Sequence, residues 1–143
     1  MSEISVEINI PELEAWINKL GDFPRRELMQ IIAVKSEEQV KTRINEEKMS
    51  PVGAPWAAWS DAYAKRRPSG TSLMVNTGDL LQSPTGQVTG DDEIMVSTNV
   101  PYARRQNDGG GGIPARPFMG LSQENIAETK DLVAAWFESY LGE

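Results

Sequence analysis

"PRRELMQIIAVKSEEQVKTRINEEK", residues 24–48, is the stretch on which the fold turns. A proline opens it, and Leu28, Ile31, Ile32, Val40 and Ile44 recur at the spacing that puts apolar groups on one side of a helix. Glu37 and Lys41 form an i,i+4 pair on the polar side. The pattern predicts one long helix from Pro24 to about Lys48 as the main core element.

Upstream, Ile4, Val6, Ile8 and Ile10 alternate with Glu3, Ser5, Glu7 and Asn9, the period of a strand with one buried face. Pro11 then opens a short helix through about Leu20, closed by Gly21. Downstream, "SPVGAPWAAWSDAYAKRRPSG" at 50–70 holds too many prolines and glycines for regular structure, except a short helix near 60–67. "SLMVNTGDLLQS" follows as a short extended piece, a turn at Thr77-Gly78 and a helical turn at Leu80-Leu81. "GQVTGDDEIMVSTN" reads as a hairpin turning at Gly90, Asp91 and Asp92, with Ile94 and Val96 facing one side. "DGGGG" at 108–112 reads as a flexible loop. The last element is a helix from Ser122, its N-cap, to about Leu141, with Ile126, Val133, Trp136, Phe137 and Tyr140 as its apolar stripe. Together these elements predict an α+β fold in a single domain over 1–143, with a small antiparallel sheet against a long helix and a C-terminal helix, joined by long irregular loops.

Composition narrows the function. The chain has 143 residues, 39% hydrophobic and 24% charged, a balance that suits a globular protein with a modest core. The absence of any run of about 18 apolar residues predicts no membrane span, and the start lacks a secretory signal pattern, which points to the cytoplasm of the cell where the protein is made. It contains neither cysteine nor histidine, which excludes Cys-His nucleophiles, Ser-His-Asp triads and the usual zinc sites. A net charge of −7 repels phosphates on average and argues against a face that grips DNA throughout. The charges are unevenly placed: 101–118 carries Arg104, Arg105 and Arg116 against Asp108 alone, whereas 119–143 carries five acids against Lys130 alone. A basic segment followed by an acidic helix pairs between copies of the chain, or is plain solvated surface.

Several motifs fail on context. The glycine run is followed by no Gly-Lys-Ser/Thr, so it is no phosphate loop. Lys65, Arg66 and Arg67 beside Tyr63 have the chemistry to touch nucleic acid, but such a cluster is first a solvated surface. Asp91, Asp92 and Glu93 offer oxygens to a cation, yet hairpin turns favour Asp for backbone reasons. Trp56 and Trp59 either fold over the core or await a partner.

Laid in order, the landmarks resemble the phage virion morphogenesis or tail-completion family of Mu-like phages and prophages. They are Ser50-Pro51, Gly53, Pro55-Trp56-Ala57 and Lys65; then Leu73, Thr77-Gly78-Asp79-Leu80 and Ser83; then Thr98-Asn99, Pro101-Tyr102-Ala103 and Gly109-Gly110. The most specific is "IPARPFMGLS", residues 113–122. One departure stands out, since members of that family often carry a histidine and an aromatic where this chain runs "ARRQNDGG" with Gln106 and Asp108. A base replaced by glutamine argues against catalysis there.

The resemblance implies a non-enzymatic component of the virion neck, without cofactor or metal, assembled in the bacterial host cytoplasm at the junction of head and tail. Its implied partners are further copies of itself in a ring, six by the symmetry of tails or else twelve, with head-side connector or portal-adaptor proteins and tail terminator or tail tube proteins. DNA is met only in passage, and no membrane is involved. The candidate interface residues are Trp56, Trp59, Arg66, Arg67, Tyr102, Arg104, Arg105, Arg116 and Phe118. Pro114 and Pro117 stiffen the last motif for docking, with Arg116 read as a charge-paired anchor and Phe118 as packing under the C-terminal helix. The runner-up is a nucleic-acid-associated protein using Lys65, Arg66, Arg67, Arg104 and Arg105 as a basic patch.

Overall fold

The computed structural model describes residues 4–8, 23–66, 73–75, 78–90 and 93–142. The helix expected over 11–20 and the residues Thr77, Asp91 and Asp92 of the two expected turns lie outside these. The predicted long helix is present as α1 (Arg25–Thr42), followed by one π-helical turn (Arg43–Glu47). Leu28, Met29, Ile32, Ala33, Ser36, Gln39 and Val40 are its buried residues, and Arg43 and Ile44 carry the same face into the π turn. Ile31, expected on that face, is only half-buried. The helix stops at Lys48, whose left-handed backbone (φ 56°) brings its N–H back to the Arg43 carbonyl at 3.0 Å.

Three strands form one antiparallel sheet: β1 (Ile4–Ile8), β2 (Thr85–Val88) and β3 (Ile94–Thr98), with β3 in the centre. β2 and β3 make the expected hairpin, Gly86 opposite Val96 and Val88 opposite Ile94, and the Thr89 N–H closes it on the Glu93 carbonyl at 3.0 Å. Ile4 to Ile8 run along Thr98 to Ile94 on the other edge. Ile94, Val96 and Thr98 of β3 are all buried, because period-two alternation directs them to one face.

That face lies on α1, and the approach is close at Gly86. A Cβ there would sit 2.3 Å from the Ala33 carbonyl oxygen, so only glycine lets β2 pass. The Gly86 N–H donates to Glu37 Oε1 at 3.0 Å, which fixes the strand on the helix. Glu37 thus has a structural partner besides Lys41, whose Nζ is 3.1 Å away.

The C-terminal helix α5 (Gln123–Leu141) packs on α1 after two short helices and a third along the loops: α2 (Asp61–Arg66), α3 (Asp79–Gln82) and α4 (Ala103–Asp108). The expected Ser122 cap is present as a capping box: its Oγ accepts from the Asn125 N–H, and its own N–H donates to Asn125 Oδ1, each at 3.0 Å. Val133 and Phe137 are buried as predicted, but the buried line begins with two polar residues, Asn125 and Thr129. Tyr140, expected in the stripe, is 39% exposed and stacks on Trp136 at 5.3 Å. Phe118 joins Leu28, Ile32, Ile44, Val96 and Phe137 in the core between these layers.

Helix α4 has no counterpart in the sequence reading. Its six residues, Ala103 followed by five polar ones, carry no apolar period. The glycines after it, expected as a flexible loop, form a closed turn in which Gly110 and Ile113 exchange hydrogen bonds of 2.9 and 3.0 Å. Gly109 to Gly112 all have positive φ, the region that favours glycine.

Candidate functional site

The two most distinctive motifs meet in space. The first, Ser50-Pro51 to Trp56-Ala57, is a tight loop: Ser50 N–H donates to the Ala54 carbonyl at 2.8 Å, Ala54 N–H to Ser50 Oγ at 3.1 Å, and Trp56 N–H to the Lys48 carbonyl at 3.1 Å. Its indole turns inward and donates to the Pro117 carbonyl at 2.7 Å, leaving Trp56 6% exposed. The second motif answers with Arg116, whose Nε and Nη2 donate to the Ala57 and Ala58 carbonyls at 2.8 and 3.1 Å. Gly120 completes the contact, since a Cβ on it would lie 2.9 Å from Pro51 Cγ.

Helix α4 grips the second loop from outside. Asn107 Oδ1 accepts from the Phe118 and Met119 N–H groups at 2.9 and 3.0 Å, and Arg116 N–H donates to the Gln106 carbonyl at 2.8 Å. From inside, Arg43 reaches up from the π turn with no exposed surface. Its Nη1 donates to the Phe118 and Gly120 carbonyls at 3.0 and 2.6 Å, its Nη2 donates to Asn125 Oδ1, and Glu47 Oε1 lies 3.8 Å from its Nε. Burial pulls the Arg43 guanidinium below its ordinary pKa, and the Glu47 carboxylate partly opposes that. Burial likewise lowers Arg116 and Lys48; the Lys48 ammonium donates to the Ile44 carbonyl at 2.7 Å and the Leu73 carbonyl at 2.5 Å.

The nine residues singled out from the sequence therefore separate. Trp56, Arg116 and Phe118 come together as the inner contacts of the double loop, with Arg116 bonded to backbone carbonyls of its own chain and in no ion pair among the described residues. Tyr102, 43% exposed, immediately precedes α4, and Arg104 and Arg105 stand exposed on it. Trp59 is half-buried and meets Tyr63 edge-to-face at 5.7 Å. Arg66 ends α2, and Arg67 lies outside the described residues.

Sequence reading passed over Arg43, Asn107 and Asn125, which bind the loops together. For Arg43 a signal existed: it stands in phase with Ser36 and Val40 on the inner side of α1, where a cation must find partners. Among the described residues no group of three or more acidic side chains is placed to hold a metal ion. Most polar groups of the arrangement are bonded to one another, the exception being Arg43 Nε, which has only the Glu47 carboxylate at 3.8 Å.

The sequence model of the phage virion morphogenesis family matches residues 8–138, a span that contains both loops, α4 and most of α5. The chain belongs to that family. The resemblance drawn from "IPARPFMGLS" and the landmarks before it is thereby borne out. A relative from Escherichia phage Mu, named "Putative capsid assembly protein G", is 26% identical over 144 residues, an alignment covering 92% of each chain. No solved structure matches the chain. Membership makes this a protein of virion morphogenesis, and no helix among the described residues is long and apolar enough to cross a membrane.

Proposed function

We propose that this chain is a non-enzymatic structural component of the head–tail junction, which closes into a homo-oligomeric ring of six copies, joins tail to head during assembly and lets DNA pass. The observation that carries this reading is the clasp of the two loops. The motif residues hold one another, so what the fold offers outward is the rim of that clasp, Val52 of the first loop, 92% exposed, and the exposed Tyr102, Arg104 and Arg105 of the α4 segment. Aromatic and arginine side chains on a rigid support are the chemistry of a protein contact. The net charge of −7 supports passage of DNA without adhesion.

Light scattering behind a sizing column, across a range of concentrations, tests the ring. Discrete particles of six or twelve copies are the expected result, either from the protein alone or on tails that lack it. A chain that stays monomeric in solution and is not retained by such tails overturns the proposal. Steeply salt-dependent DNA binding by the monomer would favour the nucleic-acid alternative instead.

A further inference from the structure

The outer side of α1 carries an open groove of about 450 Å³, lined by Val34, Glu38, Lys41, Glu46 and Leu81 among others. Val34 is 64% exposed, an apolar side chain on the floor of an acidic surface. Glu37 and Lys41 are paired with each other, and among the described residues Glu38 and Glu46 make no ion pair. Residues 34, 38 and 41 recur at the spacing of one helix face, and Ser36, Val40 and Arg43, which point inward, lie on the opposite one.

The complementary surface is on the far side of α1. Helix α4 is held to the clasp by Gln106 and Asn107, and the clasp is held to the inner side of α1 by Arg43. From α4 the exposed Arg104 and Arg105 project beside the half-exposed Tyr102. Arg104 lies 3.9 Å from Asp108, both about half exposed, a surface pair worth little in water.

Resting on the ring reading above, we infer that the groove on α1 of one copy receives α4 of the next, with Glu38 and Glu46 facing Arg104 and Arg105 and Tyr102 meeting Val34. Two different patches on opposite sides of a subunit are what a head-to-tail contact requires, and such a contact closes into a ring when its rotation allows. Opposite charges set the register and exclude wrong pairings, while the tyrosine supplies apolar area.

The test reverses charge on one patch at a time. A chain with Arg104→Glu and Arg105→Glu keeps a native groove, and a chain with Glu38→Arg and Glu46→Arg keeps a native α4. Each alone is expected to lose self-association, with the apparent dissociation constant rising about tenfold or more. Mixed in equal amounts, the two should assemble again as rings of alternating chains, because every groove then meets an α4 of opposite charge on the other chain. Both reversals in one chain should restore the ring. The same mixtures are added to tails lacking the protein if the wild type assembles only there. Rings that survive every reversal, or a doubly reversed chain that stays monomeric, overturn this pairing alone. A wild type that forms no ring under either condition overturns the ring reading as well.

Discussion

Two pairs of arginines in this chain have opposite fates. Arg43 and Arg116 are 0% and 8% exposed and donate to carbonyls of the loops they hold, whereas Arg104 and Arg105 stand in solvent on α4. The inner pair turns two irregular loops into a rigid body, because a buried guanidinium enforces its hydrogen bonds: any lost acceptor leaves a desolvated charge. The outer pair is exposed on α4, with Arg104 in a surface ion pair to Asp108 that contributes little to folding. A segment that reads as one basic stretch thus divides into a part that builds the fold and a part that the fold presents.

Breaking the inner pair should have the largest effect. Arg43→Ala takes the guanidinium donor from the Phe118 and Gly120 carbonyls and one of two donors from Asn125 Oδ1 and opens a cavity, so chemical denaturation should show a loss of about 3–5 kcal/mol. A loss under about 1 kcal/mol would mean the clasp holds without it. Next, Gly86→Ala forces β2 off the Ala33 carbonyl, an overpacking that should cost about 1–3 kcal/mol by the same measurement. Trp56→Phe keeps the ring but removes the donor to Pro117, leaving a smaller deficit of about 1 kcal/mol. Arg105→Ala should move stability by under about 0.5 kcal/mol in either direction, and a larger loss would place this arginine with the inner pair.

What could be read in advance follows from how local each cause is. α1, the β2–β3 hairpin and α5 with its Ser122 cap were legible because periodicity and capping act within a few residues. α4 was not, since its six residues are held by Asn107 and Gln106 contacts to a loop some ten residues on. The same limit applies to the candidate residues. Phe118, named among the interface candidates and also read as packing under the C-terminal helix, is in the core, while Arg116, read as an outward anchor, is bonded to Ala57 and Ala58, partners about sixty positions away. Polar members of the α1–α5 seam escaped notice for a related reason: Gln39 donates to the Asn125 carbonyl at 2.9 Å, a contact no hydrophobic pattern announces.

Asn125 has one further consequence. Its single side-chain oxygen accepts both from the Ser122 N–H that starts α5 and from Arg43 at the end of α1. Fraying at the first turn of α5 therefore takes a partner from the arginine that holds Phe118 and Gly120, which couples the two openings. In hydrogen exchange, the amides of the last motif and of the α5 start should lose their protection together, as one cooperative opening unit that spans a loop and a helix.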